Sequence, residues 1–178
     1  MPAVRDRFLR PAVSPQRKEW RSLATTLISF IIEWDYRARV FGLRVAEGTA
    51  EPFYIHLFKG CLLLESLLKA NPANPIPPDG KTLGVVLQHL YRNLGIRRNL
   101  KIGHTDFPTV LADLNGAHDS IETAIQFTGS IRNTLGHDLG WRVPLTKSQY
   151  ERLLRMIGVS CLHAISTLYP DSSAGSSL

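Results

Sequence analysis

The stretch "PFYIHLFKGCLLLESLLKA", from Pro52 to Ala70, has the apolar pattern of a buried helix. Pro52 suits a first helical turn, where the missing N–H would have no partner anyway. Core candidates follow at helical spacing: Phe53, Leu57, Leu64, Leu67 and Leu68. The residues after it, "NPANPIPPDG", are dense in Pro, Asn and Gly and predict a long surface loop.

Four further segments share this helical periodicity. The first runs from Pro15 to Glu47, and its stripe is Trp20, Leu23, Leu27, Phe30, Ile31 and Trp34, with Gly48 as a stop. The next is Lys81 to Leu94, with Leu83, Val86, Leu87, Leu90 and Leu94. Within the first of these segments, "LISFII" at 27–32 could locally be a strand, but the residues on both sides of it have the helical period. We therefore reject a strand at 27–32 and assign these residues to the helix.

The third of these segments spans Phe107 to Leu135, and Gly116 could split or bend it. The last runs from Lys147 to Tyr169 behind a capping box, in which Thr146 is the N-cap and Gln149 lies three residues on. Five amphipathic helices must bury their apolar faces against one another. The sequence thus predicts an all-α fold, an antiparallel helical bundle of about five helices.

Composition narrows the class of protein. The chain has 178 residues, enough for one domain, and a net charge of +6. We expect a basic N-terminal arm over 1–14, a single helical domain over 15–170 and a flexible tail over 171–178. The charge favours an anionic partner such as nucleic acid, although a merely basic soluble protein is an equal alternative.

Neither cysteine has a neighbour at metal-ligand spacing, so Cys61 and Cys161 are expected to be buried free thiols, with no metal and no cofactor. No signal peptide is visible, and the apolar run from Leu27 to Ile32 is too short to cross a bilayer. We therefore expect a cytoplasmic protein that does not enter membranes.

The stretch "SIRNTLGHDLGW", Ser130 to Trp141, carries the candidate chemistry. On an unbroken helix, Arg132 and His137 would diverge by about 140°. They converge only if the helix ends at Gly136 in a left-handed cap and His137 folds back over the last turn. The alternative is a purely structural role, in which Arg132 and His137 only donate hydrogen bonds to carbonyl groups at the helix end.

Arginine offers a planar fork of donors to a phosphate, and histidine transfers protons near neutral pH. Asn133 could orient the imidazole or bind a phosphate oxygen. These groups suffice for metal-independent RNA cleavage by attack of the ribose 2′-OH. The products would be a cyclic 2′,3′-phosphate and a 5′-OH end.

"IRNTLGHDLG" resembles the Arg-Asn-x-x-x-His signature of the HEPN superfamily, and especially its abortive-infection C-terminal type, whose motif lies between the last two long helices. The resemblance implies a helical fold and a metal-independent ribonuclease in which Arg132 binds the phosphate, Asn133 is the polar neighbour and His137 is the acid-base. It also implies a homodimer with both motifs in one cleft, and a role as a toxin or in antiviral defence, sometimes under a regulatory partner.

One position departs from some toxin relatives, in which an antitoxin modifies a tyrosine two residues after the motif histidine. Here that position is Leu139, which puts silencing by that route in doubt. Asp138 follows the histidine directly. It could raise the pKa of the imidazole, or it could only cap the turn; we favour the capping role.

The RNA-binding candidates are cationic. The stretch from 80 to 105 contains no Asp or Glu, and its basic residues include Arg92, Arg97, Arg98 and Lys101. Tyr91 and His104 could stack on bases. Arg142, near the motif, is a further phosphate candidate. A solvated charged loop is the alternative interpretation.

The leading hypothesis is therefore a metal-independent endoribonuclease of the HEPN type. The alternative is a non-catalytic HEPN-like module that binds RNA or nucleotides, or that acts as a scaffold in a larger assembly.

Overall fold

The described part of the chain is built from α-helices. The computed structural model describes residues 5–9, 12, 18–44, 50–71, 82–103, 106–137 and 143–169. After a π-helical turn at Arg5–Leu9, the helices in these ranges are α1 (Lys18–Arg44), α2 (Glu51–Lys69), α3 (Leu83–Leu94), α4 (Phe107–Gly116), α5 (Ile121–His137) and α6 (Lys147–Leu168). No strand occurs within them. The all-α bundle is confirmed.

The segment predicted from Phe107 to Leu135 is two helices, because the helix is interrupted after Gly116. Arg152 on α6 stabilises the interruption between the two helices. Its guanidinium donates to the carbonyl oxygen of Leu114 and, at 2.6 Å, to that of Ala117. These bonds satisfy carbonyls that the end of α4 leaves without a helical partner. Ser120 then caps α5, accepting the backbone N–H of the third residue on at 3.1 Å.

Helix α2 packs against α1, α5 and α6. α1 runs antiparallel to it, since Phe41 near the end of α1 meets Phe53 near the start of α2, with ring centroids 4.4 Å apart. α2 and α6 run in the same direction. A Cβ on Gly60 would lie 2.5 Å from the Phe30 ring and 2.7 Å from a methyl group of Ile157. The absence of a side chain at Gly60 thus lets three helices approach closely.

The predicted stripe of α1 is wrong at one position. Phe30 is buried against His56, but the neighbouring Ile31 is 47% exposed. Successive residues on a helix point about 100° apart, so only one of the two can face α2. Together with Ile28 and Ile32, Ile31 gives the outer side of α1 an apolar character.

His56 is buried and bonded at both ring nitrogens. Nε2 donates to the Phe30 carbonyl oxygen at 3.1 Å, because a carbonyl can only accept. Nδ1 must then accept from the Tyr150 hydroxyl at 2.7 Å. Burial lowers the pKa of His56 to about 4, so the imidazole is neutral in the folded protein at neutral pH.

This burial makes stability depend on pH. The pKa of His56 in the fold, about 4, lies below the ordinary 6.5, so the unfolded chain takes up the proton first as pH falls. The free energy of unfolding should therefore drop by about 3 kcal/mol between pH 6.5 and pH 4. Urea unfolding at a series of pH values measures this. A His56→Gln variant should show a flatter curve over the same window, and equal curves would contradict the neutral, buried imidazole.

Candidate functional site

The Arg-Asn-x-x-x-His motif occupies the last two turns of α5, which continues through His137. The predicted left-handed cap at Gly136 is wrong. Among the described glycines only Gly95 has a positive φ, 63°, and it ends α3. The last turn of α5 packs on α2 instead. A Cβ at Gly136 would lie 3.7 Å from the ring of Phe58, so tertiary packing outweighs the tendency of glycine to end a helix.

An unbroken helix separates the two key side chains. Arg132 and His137 point about 140° apart around α5, as the spacing requires. Arg132 faces α2, and its Nη1 extends toward Gly136, 4.0 Å from where a Cβ would be. Asn133 is half-buried and His137 is exposed at the end of the helix. A single chain thus presents the guanidinium and the imidazole on different sides of α5.

Arg132 is held by a carboxylate that the sequence analysis did not identify. Its Nε donates to Oε2 of Glu65 on α2 at 2.8 Å, while Lys69 donates to Oε1 at 2.6 Å. Glu65 is only 7% exposed. The bond takes one of the five N–H donors of the guanidinium. The available signal was a lone Glu in the apolar run "LLLESLL", one helical turn before a Lys.

Two opposing effects set the ionisation of Glu65. Burial by itself raises the pKa of this carboxyl, but the hydrogen bonds and charges of Lys69 and Arg132 outweigh it and leave the pKa below its ordinary value. Glu65 is therefore ionised at neutral pH. Both cations stabilise the ionised carboxylate at this depth, so electrostatics as well as packing favours the observed position of Arg132.

The exposed side of α5 carries a polar face. Gln126, Ser130, Asn133 and His137 are spaced by four, three and four residues, which puts them within about 60° around the helix. All four are half-buried or exposed. His137 lies at the end of this face, whereas Arg132 points at least about 100° away from it around the helix, toward α2.

The loop of residues 95–103 carries part of the predicted RNA-binding set along α5. Arg97 forms an ion pair with Glu122 in the first turn of α5, although its side chain is 85% exposed. Further along, the side chain of Ile102 lies 2.8 Å from the Cβ position of Gly129. Gly129 is one helical turn before Asn133. Lys101 is exposed and adjoins Ile102 in the chain.

Arg92 and Arg98 converge on Tyr91. The Nε of Arg92 donates to the tyrosine hydroxyl at 2.8 Å, and the two guanidinium carbons lie 5.6 and 6.0 Å from the ring centroid. Cation–π contacts of this kind hold the charged groups in place at low cost in solvation. Tyr91 thus contacts two cations. Arg97 is farther from the motif, since its partner Glu122 lies about 22 Å from His137 along the axis of α5. Arg142, His104, Asp138 and Leu139 lie outside the described residues.

The described residues include no group of three or more His, Cys, Asp or Glu side chains that could hold a metal ion. Cys61 and Cys161 are buried free thiols, as expected. Within the same ranges, no helix combines the length and hydropathy that a membrane span needs.

No protein-family model, curated protein or solved structure matches this chain.

The ion pair between Glu65 and Arg132 can be measured by a double-mutant cycle with Glu65→Gln and Arg132→Gln. Arg132→Gln should lower the free energy of unfolding by about 1–3 kcal/mol, because it leaves a buried carboxylate with Lys69 alone. The double variant should cost less than the sum of the single variants.

A matched control is the exposed pair of Asp35 and Arg39 on α1. Its coupling should be about 0.5 kcal/mol or less. Additive effects at Glu65 and Arg132 in urea unfolding would contradict the pairing.

Proposed function

We propose that this protein is a metal-independent endoribonuclease of the HEPN type. The observation that carries the proposal is the placement of the motif. Arg132 is anchored to an ionised carboxylate on α2, Asn133 and His137 continue a polar face, and His137 is exposed at the end of α5. A fixed guanidinium and an exposed imidazole are the two groups that phosphodiester cleavage requires.

In this mechanism, the 2′-OH of one ribose attacks the adjacent phosphorus atom. His137 takes the 2′-OH proton while water protonates the departing 5′-oxygen, or protonated His137 gives its proton to the 5′-oxygen while water takes the 2′-OH proton. Arg132 stabilises the negative charge that builds on the phosphate oxygens. The P–O5′ bond breaks as the P–O2′ bond forms, leaving a cyclic 2′,3′-phosphate and a 5′-OH end. Asn133 orients the phosphate or the imidazole.

We further propose that two copies of the chain form the active site. The 140° divergence of Arg132 and His137 is what supports it, because one chain alone does not bring the pair to one phosphate from one side. Two motifs related by a two-fold axis would place the imidazole of one chain opposite the guanidinium of the other.

A groove between α1 and α2 offers an apolar surface for this contact. It is lined by Leu23, Ile55, Phe58, Leu62 and Leu63, together with Thr26, Lys59 and Ser66. Phe58 also touches the last turn of α5, so the groove adjoins the motif. Of its apolar side chains, Ile55 is 46% and Leu62 is 40% exposed, and exposed apolar patches are typical of protein interfaces.

The RNA backbone would follow α5, held by Arg92, Arg97, Arg98 and Lys101 along one edge, with Arg142 as a further candidate. We propose a cytoplasmic enzyme that acts as a toxin or in antiviral defence, under the control of a regulatory partner protein.

A second candidate function is a non-catalytic RNA- or nucleotide-binding module of the same fold, or a scaffold. It is favoured by the bond from Arg132 to Glu65, which is also what a purely structural arginine would make. The two functions differ in whether RNA is cut or only bound.

RNA cleavage in EDTA decides between them. Wild type should cut single-stranded RNA and leave cyclic-phosphate ends. His137→Ala should lower the rate by 100-fold or more, roughly the contribution of a general acid-base. His89→Ala, on the exposed side of α3, and Arg39→Gln, on α1, are matched controls that should keep full activity. Circular dichroism checks folding. Binding without cleavage by wild type would favour the second function.

The dimer surface is tested with Leu62→Glu. Leu62 is 40% exposed in the groove, so a charge there should be tolerated by the folded chain but should disfavour an apolar contact. Sedimentation should show a dimer for wild type and a monomer for the variant, with loss of cleavage. Val85→Glu is the matched control, since Val85 is 46% exposed on α3. A monomeric wild type, or a dimeric Leu62→Glu variant, would contradict this surface.

A further inference from the structure

A polar cleft between α4 and α5 has no part in the chemistry proposed for the motif. Its volume is about 540 Å³, within the range of small-ligand sites. Its lining combines a carboxylate, an imidazole, an amide, two hydroxyls and an aromatic ring: Asp113, His118, Gln126, Thr123, Ser130 and Phe127. These are groups that form directional hydrogen bonds beside an apolar wall.

The cleft opens onto the same face of α5 as the motif. Gln126 and Ser130 line it, and both belong to the polar face that continues to Asn133 and His137. Ser130 precedes His137 by seven residues, or about 10 Å along the helix axis. A strand whose phosphate lies at His137 can therefore reach the cleft with a neighbouring residue.

The charge of the cleft selects which part of such a strand enters it. Among the described residues, its lining includes the carboxylate of Asp113 and no arginine or lysine. A phosphate would be repelled there, whereas the loop cations at the opposite edge of α5 would attract it. A nucleobase has apolar faces and hydrogen-bonding edges, and the wall formed by Phe127 together with the amide of Gln126 fits both.

We propose that this cleft binds one unpaired nucleobase of the RNA strand, next to the nucleotide that is cut. The proposal rests on the ribonuclease function, to which it adds a preference for particular bases. A carboxylate can only accept hydrogen bonds, so Asp113 favours the amino groups of adenine and cytosine. Uracil presents a carbonyl oxygen at that position. Gln126 can pair with an amino group and the adjacent ring nitrogen, as glutamine does with adenine.

The test uses 5′-fluorescein-labelled octamers of adenosine, cytidine and uridine with 2′-O-methyl groups, which cannot be cut by 2′-OH attack. Fluorescence anisotropy at one fixed salt concentration gives the dissociation constants. Wild type should bind the adenosine and cytidine octamers at least about fivefold more tightly than the uridine octamer. Asp113→Asn should reduce this ratio to less than twofold, because an amide also donates to the uracil carbonyl.

Two controls isolate the cleft. Asp35→Asn on α1 removes the same charge from a distant surface and should keep the wild-type ratio. Gln126→Ala should weaken binding of the adenosine octamer, whereas Gln88→Ala on the exposed side of α3 should not. Since each ratio is compared with that of wild type, differences between the octamers themselves cancel. Asp113 is exposed, and circular dichroism should show an unchanged fold in its variant.

The outcomes separate this proposal from the ribonuclease. A ratio that Asp113→Asn leaves unchanged overturns the base site even if wild type cuts RNA. Absence of binding to all three octamers overturns it as well. An Asp113-dependent ratio in a protein that cuts no RNA supports the base site and overturns the ribonuclease.

Discussion

A buried carboxylate between two helices sets the geometry on which the candidate site depends. Glu65 on α2 is ionised although it is almost inaccessible to water, and it accepts hydrogen bonds from Lys69 and Arg132. Both partners stabilise a charge at this depth. Arg132 is consequently directed at α2, which fixes the rotation of α5 and turns Asn133 and His137 toward solvent.

From that rotation, the remaining features of α5 follow. The side toward α2 carries Arg132, while the loop of residues 95–103 packs along another edge through Arg97 and Ile102. The cleft with α4 opens on the opposite edge. Between them runs a polar face that ends at His137. One helix thus brings a fixed guanidinium, a loop with exposed cations and a hydrogen-bonding cleft to adjoining surfaces, which is the combination we propose for recognising and cutting RNA.

The helices could be predicted because each has an apolar stripe at helical spacing. The Thr146–Gln149 capping box could also be predicted from the sequence, and it is present in the structure. Two errors arose where a local rule met tertiary packing. Gly136 was expected to end its helix, but the helix continues to His137, where its last turn packs against Phe58 on α2. Ile31 was assigned to the core, where Phe30 fills the available space. The pairing of Glu65 with Arg132 was missed because the two partners are 67 residues apart in sequence. The cleft was missed because it forms only where α4 packs against α5 across the break after Gly116.

Subunit complementation tests the composite site most directly. Arg132→Gln and His137→Ala, each inactive alone, would be mixed under conditions in which labelled wild-type subunits exchange. If each site takes Arg132 from one chain and His137 from the other, the mixed dimer has one intact site. An equal mixture should then recover about a quarter of the wild-type rate, since random pairing makes half of the dimers mixed. No recovery, with exchange demonstrated, would contradict a site shared between two chains.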